Sequence, residues 1–352
     1  MHSGSGYISR MRASVKAPTR PDRPARAASP ARAARAAGAA GAAGAARAAS
    51  GVGAAAAGNR PKTAGRLRRY LSCLRYGDIL VLQGSPLLGA VFAMGDVTAA
   101  KAAALAVFAA ASCCLVAHIF VLNDWSGMSA DLRDPTRTAG VFATRGVARR
   151  EIGYLGMALL AASLLLFGRL GARPLGIALA IAVLSALYSG PAYHAKGIPL
   201  LNSGLHFAGG VLHFLLGYSL FSVIDRRGLE IACFFALAFT AGHLTQEARD
   251  YDGDRLNGIR TNAVVFGKTR SFAAGLAVFT LAYMLLAALA FQGVVPRALA
   301  ALAVLYPLHL YWSLRTAGDG LTFESVRRLQ ARYRALYAII GAAMLVALLL
   351  GA

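Results

Sequence analysis

The chain has 352 residues, 57% of them hydrophobic and only 15% charged, with a mean hydropathy of +0.54. Soluble chains carry about 25% charged residues, so this composition excludes an ordinary soluble enzyme and points to a polytopic membrane protein. A net charge of +22 would suit a nucleic-acid binder, but its distribution excludes that class. Residues 1–69 hold fourteen Lys/Arg against one acid, Asp22, and most remaining basic residues sit in loops beside apolar runs.

Residues 1–69 are Ala, Arg, Gly, Ser and Pro in low-complexity runs such as Ala31 to Ala57. Nothing there can bury a core, so a disordered basic tail is expected. Its Arg- and Ser-containing, acid-poor makeup fits a transit peptide or a start site assigned too far upstream; no apolar run follows that would make a cleaved secretory signal. Cys73, Cys113, Cys114 and Cys233 show neither metal-ligand spacing nor a pairing pattern and are expected to be small packing residues.

From Tyr76 onward the apolar pattern predicts nine transmembrane helices of a single domain spanning 70–352. The spans run at about 76–95, 101–122, 152–170, 174–190, 203–224, 229–246, 272–292, 296–314 and 333–351. The loops on one side carry sixteen Lys/Arg; those on the other carry Lys101, Arg169, Arg173, Arg226, Arg227 and Arg297. By the positive-inside rule the sixteen-residue side is cytoplasmic, and so is the N-terminus.

Two acidic clusters end apolar spans on that side. The first reads Asn123-Asp124 through Asp131 and Asp134; Asp124 and Asp131 are seven residues apart, two helical turns, and project from one face. Asp134 directly precedes Pro135, where the helix is expected to stop. The second reads Asp250-Tyr-Asp252-Gly-Asp254, in which Asp250 and Asp254 share a face and Asp252 points away. Arg249, Arg255 and Arg260 beside it carry charge suited to phosphate oxygens. An EF-hand loop shares the alternating acids, but its twelfth position needs Glu and here holds Thr261. An ionisable group at membrane depth costs about 2.5–3.5 kcal/mol on insertion scales, so two facing clusters suggest a divalent cation or a cation-bridged diphosphate.

Together the clusters resemble the UbiA superfamily of intramembrane prenyltransferases, with its Asn-Asp-x-x-Asp-x-x-x-Asp and Asp-x-x-x-Asp motifs. The segment Arg249 to Thr261 is similar to the second motif, including the Gly-Ile-basic-Thr run, and Tyr188 to Lys196 is similar to the family's Tyr…Lys segment. The resemblance covers about residues 70–352. It implies an all-α membrane bundle around a lipid-accessible cavity, in which Mg²⁺ grips the diphosphate of an isoprenyl donor. Carried over by position, Asn123, Asp124, Asp131, Asp250 and Asp254 would hold metal, the four aspartates being the catalytic set. Lys196, Arg260, Tyr188 and, as a weaker match, Arg137 would meet the diphosphate. Where the family usually carries its middle aspartate this chain has Gly127, and the stretch after Arg137 lacks the usual Arg-Pro.

The expected activity is Mg²⁺-dependent transfer of an isoprenyl group to a lipophilic, aromatic acceptor within the membrane. The alternative is a terpene cyclase in which the cation closes on the donor's own double bonds, an idea to which Gly127 lends weight. A transporter with acidic ion sites would carry its acids at midplane, not at span ends. His206 and His213, seven apart on one face, are candidates for an acceptor-side base, though packing is the commoner role of such histidines. His243 is a candidate for the same cavity, and Glu247 for a partner of the metal site.

Overall fold

The computed structural model describes residues 63–190 and 193–350. The expected tail therefore lies outside the described residues, apart from positions 63–69, which open the first helix. Among the described residues every regular element is helical. The chain begins with α1 (Thr63–Ser72), α2 (Tyr76–Leu82) and α3 (Gly84–Met94), then the long α4 (Ala99–Asp131). It continues through α5 (Arg149–Leu170), α6 (Ala172–Ser189), α7 (Leu201–Tyr218) and a second long helix, α8 (Arg226–Leu256). The short α9 (Asn262–Phe266) precedes α10 (Lys268–Phe291), α11 (Tyr306–Gly318) and α12 (Phe323–Leu349).

Among the described residues, seven segments are long and apolar enough to cross a membrane: α2 with α3, then α4, α5, α6, α8, α10 and α12. The two other expected spans are helical but fall short of that standard. The fifth is α7, whose 18 residues include Asn202, His206 and His213. The eighth winds as a 3₁₀ helix over Arg297–Leu305 before becoming the 13-residue α11. A helix walled in by protein faces less lipid and tolerates more polar side chains, which is where α7 sits. Phe214 of α7 packs with Ile231, Leu286, Ile340 and Met344, while Leu216, two residues on, packs with Phe108, Leu115, Phe167 and Ile181.

Small residues let α7 approach its neighbours closely. A Cβ on Gly217 would collide with the Pro86 carbonyl of α3, and one on Gly210 would lie 2.6 Å from Ala236 Cα of α8. Between membrane helices, where no hydrophobic driving force separates protein from lipid, such backbone approach supplies the packing energy.

Helix ends follow local chemistry. Thr98, Asp225 and Thr322 are N-caps whose side chains accept from Lys101 N, Gly228 N and Ser325 N, each contributing about 1 kcal/mol. The two acid-bearing helices are the longest, with 33 and 31 residues. At 1.5 Å per residue they are roughly 50 and 46 Å long against a hydrocarbon core of about 30 Å, so each has a long overhang. Asn123 to Asp131 and Asp250 to Asp254 ride on the C-terminal ends of those helices.

Gly217→Val is expected to separate α3 from α7 and lower the melting temperature in detergent. The side chain meets backbone that cannot turn aside, so the cost is at least the 1–3 kcal/mol of ordinary overpacking. Gly77→Ala, with open space at its Cβ, should melt like wild type or slightly higher. Equal melting of Gly217→Val and wild type would contradict the close α3–α7 contact.

Candidate active site

The two acidic clusters meet through Arg137. Its guanidinium lies 3.2 Å from Asp131 Oδ1 and 3.6 Å from Asp134 Oδ2, and it also pairs with Asp250 Oδ2. One side chain thus joins the end of α4 to α8. Burial pulls the Arg137 pKa down, but the charges of Asp250 and Asp131 outweigh it and leave the guanidinium more firmly protonated than usual.

Helix α4 stops at Asp131, three residues before the point expected from Pro135. The turn carries Asp134 back against α8, where it is buried and accepts from Thr136 N and Thr136 Oγ1 at 2.9 and 2.7 Å. A Cβ on Gly253 would collide with the Asp134 carboxylate, so the glycine between Asp252 and Asp254 is what admits the first cluster. Asn257 Nδ2 donates to Ala130 O at 3.1 Å and adds a second tie.

Asp124, Asp254 and Asp250 have further cations. Asp124 pairs with Arg75, a residue the sequence reading did not single out. Asp254 lies 3.5 Å from Lys196 Nζ. Asp250 is bound at 2.7 Å by Arg249 Nε, and Arg249 is held in turn by Gln330 of α12. Arg249 is therefore held between Asp250 and Gln330. Arg255, Arg260 and Asp252 are exposed, Asp252 as its helix position predicted. Arg260 has its backbone N 3.9 Å from the Cβ position of Gly197, beside Lys196. The only expected metal position without a carboxylate, Asn123, accepts from Ser189 Oγ at 3.3 Å.

The Lys196 loop is held by amides. His194 and Leu200 flank Lys196 with φ of 45° and 64°, left-handed conformations that cost a non-glycine residue about 1–3 kcal/mol unless neighbours enforce them. Leu200 N donates to Asn262 Oδ1 at 2.7 Å, and Asn202 Nδ2 donates to Lys196 O at 3.2 Å. Asn202 also donates to Glu247 Oε1, and Asn262 Nδ2 donates to Asn202 Oδ1 at 2.8 Å. Glu247 thus supports this network of amides. The sequence held one signal for it, the asparagine directly after the Gly-Ile-Arg-Thr run.

Next to this network lies an aromatic group. The His206 and His243 rings stack at 3.6 Å and 10°, and Tyr188 meets His206 edge-on at 4.9 Å. His213 lies apart, 6.5 Å from Phe239, lining a small cavity with Leu82, Ser85, Gly210 and Phe235.

Asn123, Asp124, Asp131, Asp250 and Asp254 offer hard oxygen donors of the kind Mg²⁺ takes, so the chemistry of the donor set fits that ion. Among the described residues, however, no group of three or more His, Cys, Asp or Glu side chains is gathered to hold a metal. Arg75, Arg137 and Lys196 occupy the carboxylates. Metal binding at these donors requires the cations to give way.

A family model described as the UbiA prenyltransferase family matches residues 84–324. No curated protein sequence matches the chain significantly. Among solved structures, a UbiA homologue from Archaeoglobus fulgidus bound to GPP and Mg²⁺ superposes with a TM-score of 0.59 at 18% identity, covering 79% of this chain and 99% of that one. A UbiA homologue from Aeropyrum pernix K1 gives 0.61 at 19% identity, over 78% and 98%. A digeranylgeranylglyceryl phosphate synthase gives 0.60 at 16% identity, over 80% and 98%.

Removing Arg137 should expose its competition with metal. In Arg137→Ala, Asp131 and Asp250 lose their common counter-charge, and a divalent cation should take its place. Mg²⁺ is expected to raise the melting temperature more than in wild type, with half-effect at about tenfold lower concentration, the equivalent of about 1.4 kcal/mol. Identical Mg²⁺ responses would mean that Arg137 does not compete for these carboxylates.

Proposed function

Because the chain belongs to the UbiA prenyltransferase family, we propose that it transfers an isoprenyl group from its diphosphate to a lipophilic, aromatic acceptor within the membrane, with Mg²⁺ as cofactor. The observation that carries this reading is Arg137, which joins both acidic clusters at one place. The GPP and Mg²⁺ held by the Archaeoglobus homologue are consistent with it.

Asn123, Asp124 and Asp131 from α4, with Asp250 and Asp254 from α8, would hold the metal. When bound, Mg²⁺ neutralises charge growing on the departing diphosphate. The protein's own cations would do the rest. Arg137 and Lys196 lie among these carboxylates and can exchange them for phosphate oxygens, Arg137 with a planar fork suited to two oxygens at once. Arg260, beside the Lys196 loop, would reach the diphosphate from its exposed position. Tyr188 would stand next to it with the histidine stack. Departure of the diphosphate leaves an allylic cation, which must be kept from water and is favoured by aromatic faces.

The bundle reads as nine spans in a domain covering 70–352, preceded by a basic tail. Residues 297–318 combine nine 3₁₀ and thirteen α-helical residues, roughly 37 Å in all and enough to cross. By the positive-inside rule the acidic clusters would lie on the cytoplasmic side.

Purified protein is expected to release diphosphate from geranyl, farnesyl or geranylgeranyl diphosphate only with Mg²⁺. Asp124→Ala and Asp250→Ala should each lower that rate at least about 100-fold, the scale of losing charge stabilisation at a departing group. Metal-independent release, or release unaffected by both substitutions, would refute the site. Terpene products from donor alone would favour the cyclase alternative over transfer.

Gly127 gives a second test. Its Cβ position meets only Asp131 Oδ2, at 3.5 Å, so a carboxylate fits there. Gly127→Asp should lower the Mg²⁺ concentration for half-maximal release by about tenfold, again about 1.4 kcal/mol. An unchanged requirement would mean that the metal takes no ligand from this position.

A further inference from the structure

Prenylation of an aromatic carbon or a hydroxyl must shed a proton, and neither acidic cluster is arranged to take it: Asp124, Asp131, Asp134, Asp250 and Asp254 are each paired with a cation, and Asp252 is exposed and points away from them. We infer that Nε2 of His206 accepts that proton. The inference rests on the prenyl-transfer reading above and adds to it the group that completes the chemistry.

Four observations carry it. His206 Nδ1 lies 2.8 Å from the Asn202 carbonyl oxygen. A carbonyl only accepts, so Nδ1 bears the hydrogen and neutral Nε2 keeps its lone pair. Among the described residues no donor occupies that lone pair.

Second, the ring is clamped. His243 stacks on it at 3.6 Å, Tyr188 meets it edge-on at 4.9 Å, and Phe239 lies at 5.4 Å. Third, the residue that sets the tautomer is tied to the diphosphate side. Asn202 is fully buried and bonds Lys196 O and Glu247 Oε1, while Lys196 itself reaches Asp254. A single rigid network therefore positions both the base and a cation facing the leaving group. Fourth, His206, Tyr188 and Phe239 are only partly buried, so open space adjoins them, whereas His243 and His213 are buried. His243 Nε2 lies 3.2 Å from Glu247 Oε1 but out of hydrogen-bonding geometry, and the ring is closed off from open space, which makes it a support for the stack.

The step balances. The donor's C1–O bond breaks, with its electron pair leaving on the diphosphate, and C1 bonds to the acceptor's nucleophilic carbon or oxygen. The proton on that atom passes to His206 Nε2. The products are the prenylated acceptor, diphosphate and an imidazolium that later returns its proton to water.

The test compares diphosphate release with carbon products in full-length protein in detergent, using radiolabelled geranyl diphosphate, Mg²⁺, and simple phenol and naphthol acceptors. Wild type should give prenylated acceptor in step with diphosphate. His206→Phe, which keeps a stacking ring, should release diphosphate within about threefold of wild type. Its prenylated acceptor should fall about 100-fold, the lower end for a general base, and the label should appear as prenyl alcohol. His206→Gln should behave alike, and both should melt near wild type. Added imidazole should restore the product-to-diphosphate ratio in His206→Gly, which a packing role would not allow. The inference is overturned if product and diphosphate fall together in both variants, if neither falls, or if wild type releases diphosphate but forms only alcohol. Absence of diphosphate release from wild type would instead fail the underlying reading, and the inference with it.

Discussion

A carboxylate next to a membrane's hydrocarbon core must be compensated, and the arrangement of this protein follows from how that is done. Asp131, Asp134 and Asp250 share Arg137, Asp124 has Arg75, and Asp254 has Lys196. Unpaired buried charges would cost several kcal/mol each. The same pairs make the site exchangeable, because each cation binding a carboxylate also suits a phosphate oxygen. Charge balance without ligand and the proposed recognition of a diphosphate would thus be two uses of one set of side chains.

That arrangement depends on helix length and close packing. Helices α4 and α8 are longer than a bilayer is thick, so their acidic ends extend beyond the apolar span while their shafts remain in it. Gly253 admits Asp134 against α8, and Gly210 and Gly217 bring α7 against α8 and α3. Helix α7 therefore sits near the centre of the bundle, where Asn202 and His206 come within reach of groups on α8. Its polar side chains, which leave it short of the standard for a lipid-facing span, belong to the amide network and the aromatic stack.

The polar groups divide by partner. Around the acidic ends, carboxylates meet cations. One or two turns further along α8, Glu247 meets amides and His243 meets the stacked ring of His206. Lys196 belongs to both sets, since its side chain faces Asp254 and its carbonyl accepts from Asn202. A displacement of Lys196 would reach Asn202, whose carbonyl holds His206 of the histidine stack.

The helical class, the two acidic clusters and the exposed direction of Asp252 were legible from local pattern: hydropathy run length, residue type, and the 3.6-residue period that places side chains on a face. The stop of α4 at Asp131 was not, because Asp134 is drawn back by contacts with α8 and by Thr136, and a proline alone marks the end only approximately. Nor were Arg75 as partner of Asp124 or Arg249 pinned by Gln330, since each joins residues that are distant in sequence. Composition and periodicity by themselves determined that the chain would be a helical membrane protein with two acidic helix ends. Only tertiary structure decided which cation faces which carboxylate and which rings stack, because these ion pairs and ring contacts depend on distances and angles between helices that no single helix contains.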